Sequence, residues 1–188
     1  PLTTHNVSET IQDISINSNP NWIVLEWNGR AHDGILIKNP LGWIVSNINS
    51  NFALFKDNGI KYISKIVLAI RPNSKDLEKM IVTTSKIANF YNIKFSLMQI
   101  VSSESEINVE EIKEKSKKLY SKYEYIDKLI IDQSKNPLEY ISNISAEYDL
   151  LILGTPKKDS WKTMLFGTGS DLLAMQANCS VLRLTIKN

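Results

Sequence analysis

The chain has 188 residues, of which 43% are hydrophobic, 22% charged and 9% aromatic, the make-up of a soluble globular protein and not of a disordered or fibrous one. Lys and Arg number 22 against 20 Asp and Glu, a formal net charge of +2, and so even a balance argues against a dedicated nucleic-acid binder. The single cysteine, Cys179, excludes an intrachain disulfide and favours a reducing compartment, and with only His5 and His32 beside it the usual zinc ligand set is missing.

The N-terminal stretch reads as a weak helix near Ser8–Ile16, a strand at Trp22–Leu25, a loop, a helix near Leu41–Ile48 and a strand at Phe52–Phe55. Lys65–Ile70 is a short β-branched run, as expected of a strand buried on both faces. Asn73-Ser74-Lys75-Asp76 signals a helix start, and Leu77, Met80, Ile81, Thr84, Ile87, Ala88 and Tyr91 then recur as one apolar stripe. Lys94–Val101 is the next strand. Asn108 stands three residues before Glu111, a capping-box pattern, and Ile112, Leu119, Tyr120 and Tyr123 are expected to face inward on the helix that follows. Tyr125–Ile131 is a strand. Asn136-Pro137 caps and starts a helix whose stripe is Leu138, Ile141, Ile144 and Tyr148. Asp149–Leu153 is a strand ending at Gly154, Ser170–Gln176 a short helix and Ser180–Ile186 a last strand.

The expected fold is therefore α/β, an open five-stranded parallel sheet with helices on both faces, preceded by a partial second copy. A spacing of 128 pairs Trp22–Leu25 with Leu150–Leu153 and Phe52-Ala53-Leu54 with Ser180-Val181-Leu182, with no gap between the two strands. The domain boundaries that follow are 1–58 for the end of one unit and 59–188 for a complete one. Each unit's final strand, Phe52–Phe55 and Ser180–Ile186, would end a parallel sheet and is expected to pair antiparallel with the other, within the chain or between copies.

The longest apolar runs, such as Ile66–Ile70, fall far short of the roughly 18 residues of a membrane span. The start, Pro-Leu-Thr-Thr, shows no charged-then-apolar leader and is compatible with a fragment of a longer protein.

The stretch that can carry chemistry runs from Gly154 through Thr155 and Lys157 to Gly167-Thr168-Gly169-Ser170. A buried strand leads into a long loop and then into a glycine-rich turn opening a helix. Such a turn lets backbone amides approach an anion at a helix N-terminus, and open parallel sheets bind ligands at the carboxyl ends of their strands. Glycines used only for turns and caps are the competing reading, because neither of the common phosphate-loop patterns is matched.

With Gly154, then Gly167-Thr168 at the right distance, and Ala177-Asn178-Cys179-Ser180-Val181-Leu182 behind them, the chain resembles the universal stress protein family. The resemblance covers 61–188 as a whole domain and about 20–57 as the end of a preceding one. It implies an adenine nucleotide alpha hydrolase-like fold and, in nucleotide-binding members, ATP held by this loop and by an Asp after the first strand. Two positions depart from that pattern. Lys157 stands where a Gly would open the backbone to phosphate, and Arg71-Pro72 stands where an Asp-Gly pair is expected. The expected ligand loop is thus a degenerate nucleotide or anion site of Gly154, Thr155, Lys157, Gly167, Thr168, Gly169 and Arg71, with no resident cofactor and at best weak ATP or AMP binding. No nucleophile and base stand at a recognisable elbow, and the expectation is no enzymatic activity and no metal.

Trp22-Ile-Val-Leu-Glu-Trp27 and the connector Phe55–Leu68 look most like the tandem, degenerate stress-protein tails of prokaryotic transporters of the cation–chloride cotransporter and amino-acid permease types. That resemblance implies a regulatory, dimerising domain on the cytoplasmic side of the inner membrane. Its implied partners are the transmembrane part of the same polypeptide and a second copy met through the last strands. The alternative is a free universal stress protein that binds ATP or AMP.

Overall fold

In the computed structural model the described residues are 7–26, 48–154 and 169–187. The elements in chain order are α1 (Val7–Ser18), β1 (Trp22–Glu26), β2 (Asn51–Lys56), β3 (Ile66–Ala69), α2 (Leu77–Phe90), β4 (Phe95–Ser102), α3 (Val109–Lys122), β5 (Ile126–Ser134), α4 (Pro137–Ser145), β6 (Leu150–Gly154), α5 (Gly169–Gln176) and β7 (Ser180–Thr185). The helix expected near Leu41–Ile48 falls almost wholly outside the described residues.

The strands form one seven-stranded sheet in the order β1-β2-β7-β6-β3-β4-β5, and not a separate five-stranded one. Every neighbouring pair is parallel except β2 and β7, which run antiparallel with Phe52 opposite Thr185 and Leu54 opposite Arg183. The pairing expected of the last strands is thus found within the chain. It satisfies backbone groups that two open sheets would otherwise leave bare.

β3 and the Leu150–Leu153 run of β6 are short and continuously apolar, and β4, although it carries Ser96 and Gln99, is like them buried on both faces, which is why these sequences show no alternation. On one face α2 and α3 pack Met80, Ile81 and Ala88, with Leu119 and Tyr123, against Ile66, Leu68 and Leu97. On the other, α4 and α5 place Ile141, Ile144, Leu173 and Ala174 against Val67, Met98 and Leu151. Ile11 of α1 joins Phe52, Leu54, Ile23 and Leu25 in a third cluster. Arg183 lies opposite Leu54 on β2 and Leu153 on β6, so this cluster lies on the α4–α5 face of the sheet. Arg183 itself is only 4% exposed there and is engaged by other groups.

The strand pairs expected to repeat differ by one residue in their separation. α1, β1 and β2 stand to one another as α4, β6 and β7 do, but Trp22 pairs with Asn51, a separation of 29, whereas Leu150 pairs with Ser180, a separation of 30. The offset is therefore 128 for the first strands and 129 for the second. Without that extra residue Phe52, buried in the α1 cluster, would be matched to the position that faces the opposite way, because a shift of one reverses every side chain of a strand.

Two helix faces also differ from the sequence pattern. In α3 the buried row is Ile112, Ser116, Leu119 and Tyr123, and Tyr120 points outward. A single step of about 100° from Leu119 carries Tyr120 off the row. The row is interrupted by a polar residue because the Ser116 hydroxyl donates to Gln99 Oε1 at 2.7 Å inside the core. Tyr91, the residue that caps the C-terminal end of α2, is likewise exposed. Asn108 caps α3 by accepting from the Glu110 amide, but Glu111 pairs with Lys115 and does not close a capping box.

The connector between β2 and β3 is tied to the far end of the chain. The Asn58 side-chain amide donates to the Ala177 and Cys179 carbonyls, its backbone amide donates to Ser180 Oγ, and Asp57 accepts from the Gly59 and Ile60 amides. Gly59 sits at φ 84, a conformation that a side chain would strain. Lys56 Nζ donates to the Ala174 and Met175 carbonyls at the C-terminal end of α5.

Candidate functional site

β3 is the strand at which the chain reverses direction across the sheet. From it the order runs outward through β4 to β5, and the chain then returns to β6 and β7 on its other side. Helices leave β3 and β6 on opposite faces, so a crevice opens above the carboxyl ends of these two strands, the place where open α/β sheets bind ligands. The protein has a cleft there of about 480 Å³, lined among others by Ala69, Arg71, Leu153 and Gly154.

Its floor comes from strand ends: Ala69 on β3, Ile100 and Val101 on β4, Leu153 on β6 and Leu184 on β7. One wall is α2 with Met80. The other is α4 with Leu138 and Ile141, backed by Leu173 of α5. The polar groups of the described lining are Arg71, Ser74, Asp76, Ser102 and Ser105 at the mouth, on the end of β4 and the segments that follow β3 and β4, and Thr185 at the end of β7, which is engaged by other groups. The mouth serines are committed to their own backbone. Ser74 Oγ accepts from the Asp76 amide, Ser102 Oγ accepts from the Glu104 amide, and the Ser105 hydroxyl donates to the Ser102 carbonyl. Asp76 is engaged as well. Arg71 is exposed; its carbonyl accepts from the Ser74 amide at 3.2 Å, and its guanidinium has no partner among the described residues.

The α4 wall is fixed in place by three ties. The Tyr140 hydroxyl donates to Asp132 Oδ2 on β5 at 2.7 Å. This bond, with the Gln133 amide, holds the Asp132 carboxyl below its usual range and raises the Tyr140 phenol. The Ser142 hydroxyl donates to the Gln176 carbonyl at the end of α5, and the Asn178 amide donates to Ser145 Oγ. Cys179, just beyond, is buried, and desolvation pushes its thiol up to about 11, so it stays protonated and unreactive at neutral pH.

Of the site residues expected from the sequence, Arg71 and Gly154 are brought together on one cleft although 83 positions separate them. Gly169 is the first residue of α5. Thr155, Lys157, Gly167 and Thr168 lie outside the described residues. A Cβ on Gly154 would meet Met80 Cε at 3.6 Å, an ordinary contact, and its φ is not left-handed, so the described backbone does not itself require glycine there. The walls from α4 and the end of β4 were not among the expected residues. The available signal was topological, since Ile100 and Val101 end a strand that runs parallel to β3.

Neither a protein-family model nor a curated protein sequence matches the chain. Solved structures do. A universal stress protein from Archaeoglobus fulgidus DSM 4304 aligns over 94% of this chain with TM-score 0.71 and 14% identity, and the chain spans 64% of that protein's length. A putative universal stress protein from Pseudomonas aeruginosa UCBPP-PA14 aligns over 97% of this chain and 68% of its own, with TM-score 0.64 and 14% identity. A universal stress protein in complex with cAMP aligns over 65% of this chain and 97% of its own, with TM-score 0.50 and 15% identity. At such identities the likeness shows architecture, and the conclusion it carries is that this chain has the α/β fold seen in universal stress proteins.

Proposed function

We propose that the chain is a non-catalytic, ligand-binding module of the universal stress protein type, and that its ligand site is the cleft at the carboxyl ends of β3 and β6. The observation that carries this reading is the position of the 480 Å³ cleft at the strand where the sheet order reverses. Among the described lining residues the titratable groups are Arg71 and Asp76, which do not make a nucleophile–base pair, and this supports binding without chemistry. Residues 59–188 serve as the complete unit and 1–58 as the end of another. That 65% of this chain covers 97% of the length of a universal stress protein supports that division.

Adenine nucleotides are the first ligands to test, given the resemblance in sequence and the neighbour held with cAMP. Arg71 at the cleft mouth lacks any acceptor for a ribose, and ATP, AMP and cAMP are expected to bind with dissociation constants of the order of hundreds of micromolar or weaker. Calorimetric titration checks this, and Arg71→Asp should tighten AMP about tenfold. Silence from all three nucleotides contradicts the nucleotide reading of the cleft. Attachment beneath a membrane transporter is the finer reading carried by the subfamily resemblance. No described helix is long and apolar enough to cross a membrane, so that reading is tested by the gene's upstream sequence and not by this chain.

A further inference from the structure

Among the described residues the cleft is apolar inside and carries one cation, Arg71, and one carboxylate, Asp76, at its mouth. Its floor and walls are carbon from Ala69, Ile100, Leu138, Ile141, Leu153 and Leu173, and its volume of about 480 Å³ is that of a small-molecule pocket. The mouth serines already bond to local backbone, and Asp76 is engaged. What remains for a ligand is the guanidinium of Arg71, without a partner among the described residues, on the same rim as the N-terminal end of the 14-residue α2. A nucleotide offers several phosphate charges and two ribose hydroxyls, for which the described lining has one cation and few uncommitted acceptors. A molecule with a single anionic head and an apolar tail meets the lining group for group. Its carboxylate takes the planar fork of Arg71 in a two-point hydrogen bond, and its chain displaces water from the floor.

We propose that this cleft binds a monoanionic amphiphile, a free carboxylate with an acyl or aryl body, in preference to a nucleotide. The proposal rests on the cleft being the ligand site and gives that site its ligand class. Charge complementarity at Arg71 selects the head, and burial against Leu138, Ile141 and Leu173 selects the tail.

The test is titration of the chain with hexanoate, octanoate and decanoate below their aggregation concentrations, with decanol and AMP as the comparison ligands. It is read by calorimetry on the wild type and on Arg71→Ala, a substitution at an exposed position that leaves the core untouched. Each methylene buried should tighten binding roughly fourfold until the cleft is filled. Arg71→Ala should weaken decanoate about three- to tenfold, leave decanol unchanged and leave the unfolding midpoint unchanged. A chain-length series without slope, or decanoate binding indifferent to Arg71→Ala, overturns the proposal. Saturable AMP binding without decanoate binding overturns it while leaving the cleft as a nucleotide site. Binding by none of the probes overturns both the proposal and the cleft as a ligand site.

Discussion

Asp149 shows how one side chain can join two units of structure. Its Oδ2 accepts from the Ser64 amide at 2.8 Å, the Ser64 hydroxyl at 2.7 Å and the Lys65 amide at 2.9 Å, so the start of β6 holds the start of β3. Partial burial pushes the carboxyl's pKa up, but the Ser64 hydroxyl, the two amides and the Lys65 charge outweigh it, and the net shift is downward. A carboxyl with a depressed folded pKa adds stability that is present above its unfolded value, near 3.9, and is lost as pH falls through the folded one. Asp149→Ala is therefore expected to cost about 1–2 kcal/mol at neutral pH and to flatten the loss of stability below pH 4, measured by urea denaturation across a pH series. Gly154→Ala makes the opposite expectation. With an unstrained φ and a contact of 3.6 Å to Met80, alanine should fold as well as glycine or up to about 1 kcal/mol better, which thermal denaturation measures. A marked loss of stability would show that glycine is needed for the described backbone after all.

Among elements, the two edges of the sheet differ in kind. β5 carries Asp127, Lys128 and Asp132 exposed along its length, charges that discourage a further strand. β1 is Trp-Ile-Val-Leu-Glu, with Val24 59% exposed, and no described strand pairs with its outer side. An edge that is apolar up to its last residue, Glu26, predicts concentration-dependent self-association of the chain. Val24→Lys should reduce it in light scattering across a dilution series, and a monomeric wild type at high micromolar concentration would contradict the expectation.

What could be read in advance also sorts by element. β3 and β6 were legible because Ile66–Ala69 and Leu150–Leu153 are unbroken apolar runs. The starts of α3 and α4 were legible because Asn108 and Asn136 do cap them. Tyr120 mimics the buried stripe because it is an aromatic beside the true row, and the burial of Ser116 is not legible in the sequence because it depends on Gln99, a residue on another element. The one-residue excess between β6 and β7 was hidden because strand identities in the repeat are too few to register it, whereas backbone pairing counts it directly.

At the scale of the molecule, the antiparallel join of β2 to β7 turns a complete sheet and a partial one into a single surface. The connector bonds of Lys56, Asp57 and Asn58 lock the same junction from the side. The two parts are therefore expected to unfold together, in one transition by circular dichroism and by tryptophan fluorescence, and Asn58→Ala should lower the midpoint of that transition without splitting it. Arg71 and Gly154 were visible in the sequence as strand ends. The cleft they border was not, because its walls come from α2, α4 and α5, and only the reversal at β3 brings these around one opening.

That cleft is the central claim, and amide shift mapping on the isotope-labelled chain tests it most directly. Addition of AMP or decanoate should move the resonances of residues 69–74, 100–105, 137–141 and 153–154 together, with the edges at β1 and β5 unmoved. Shifts confined to either edge, or none at ligand concentrations in the millimolar range, would contradict the account.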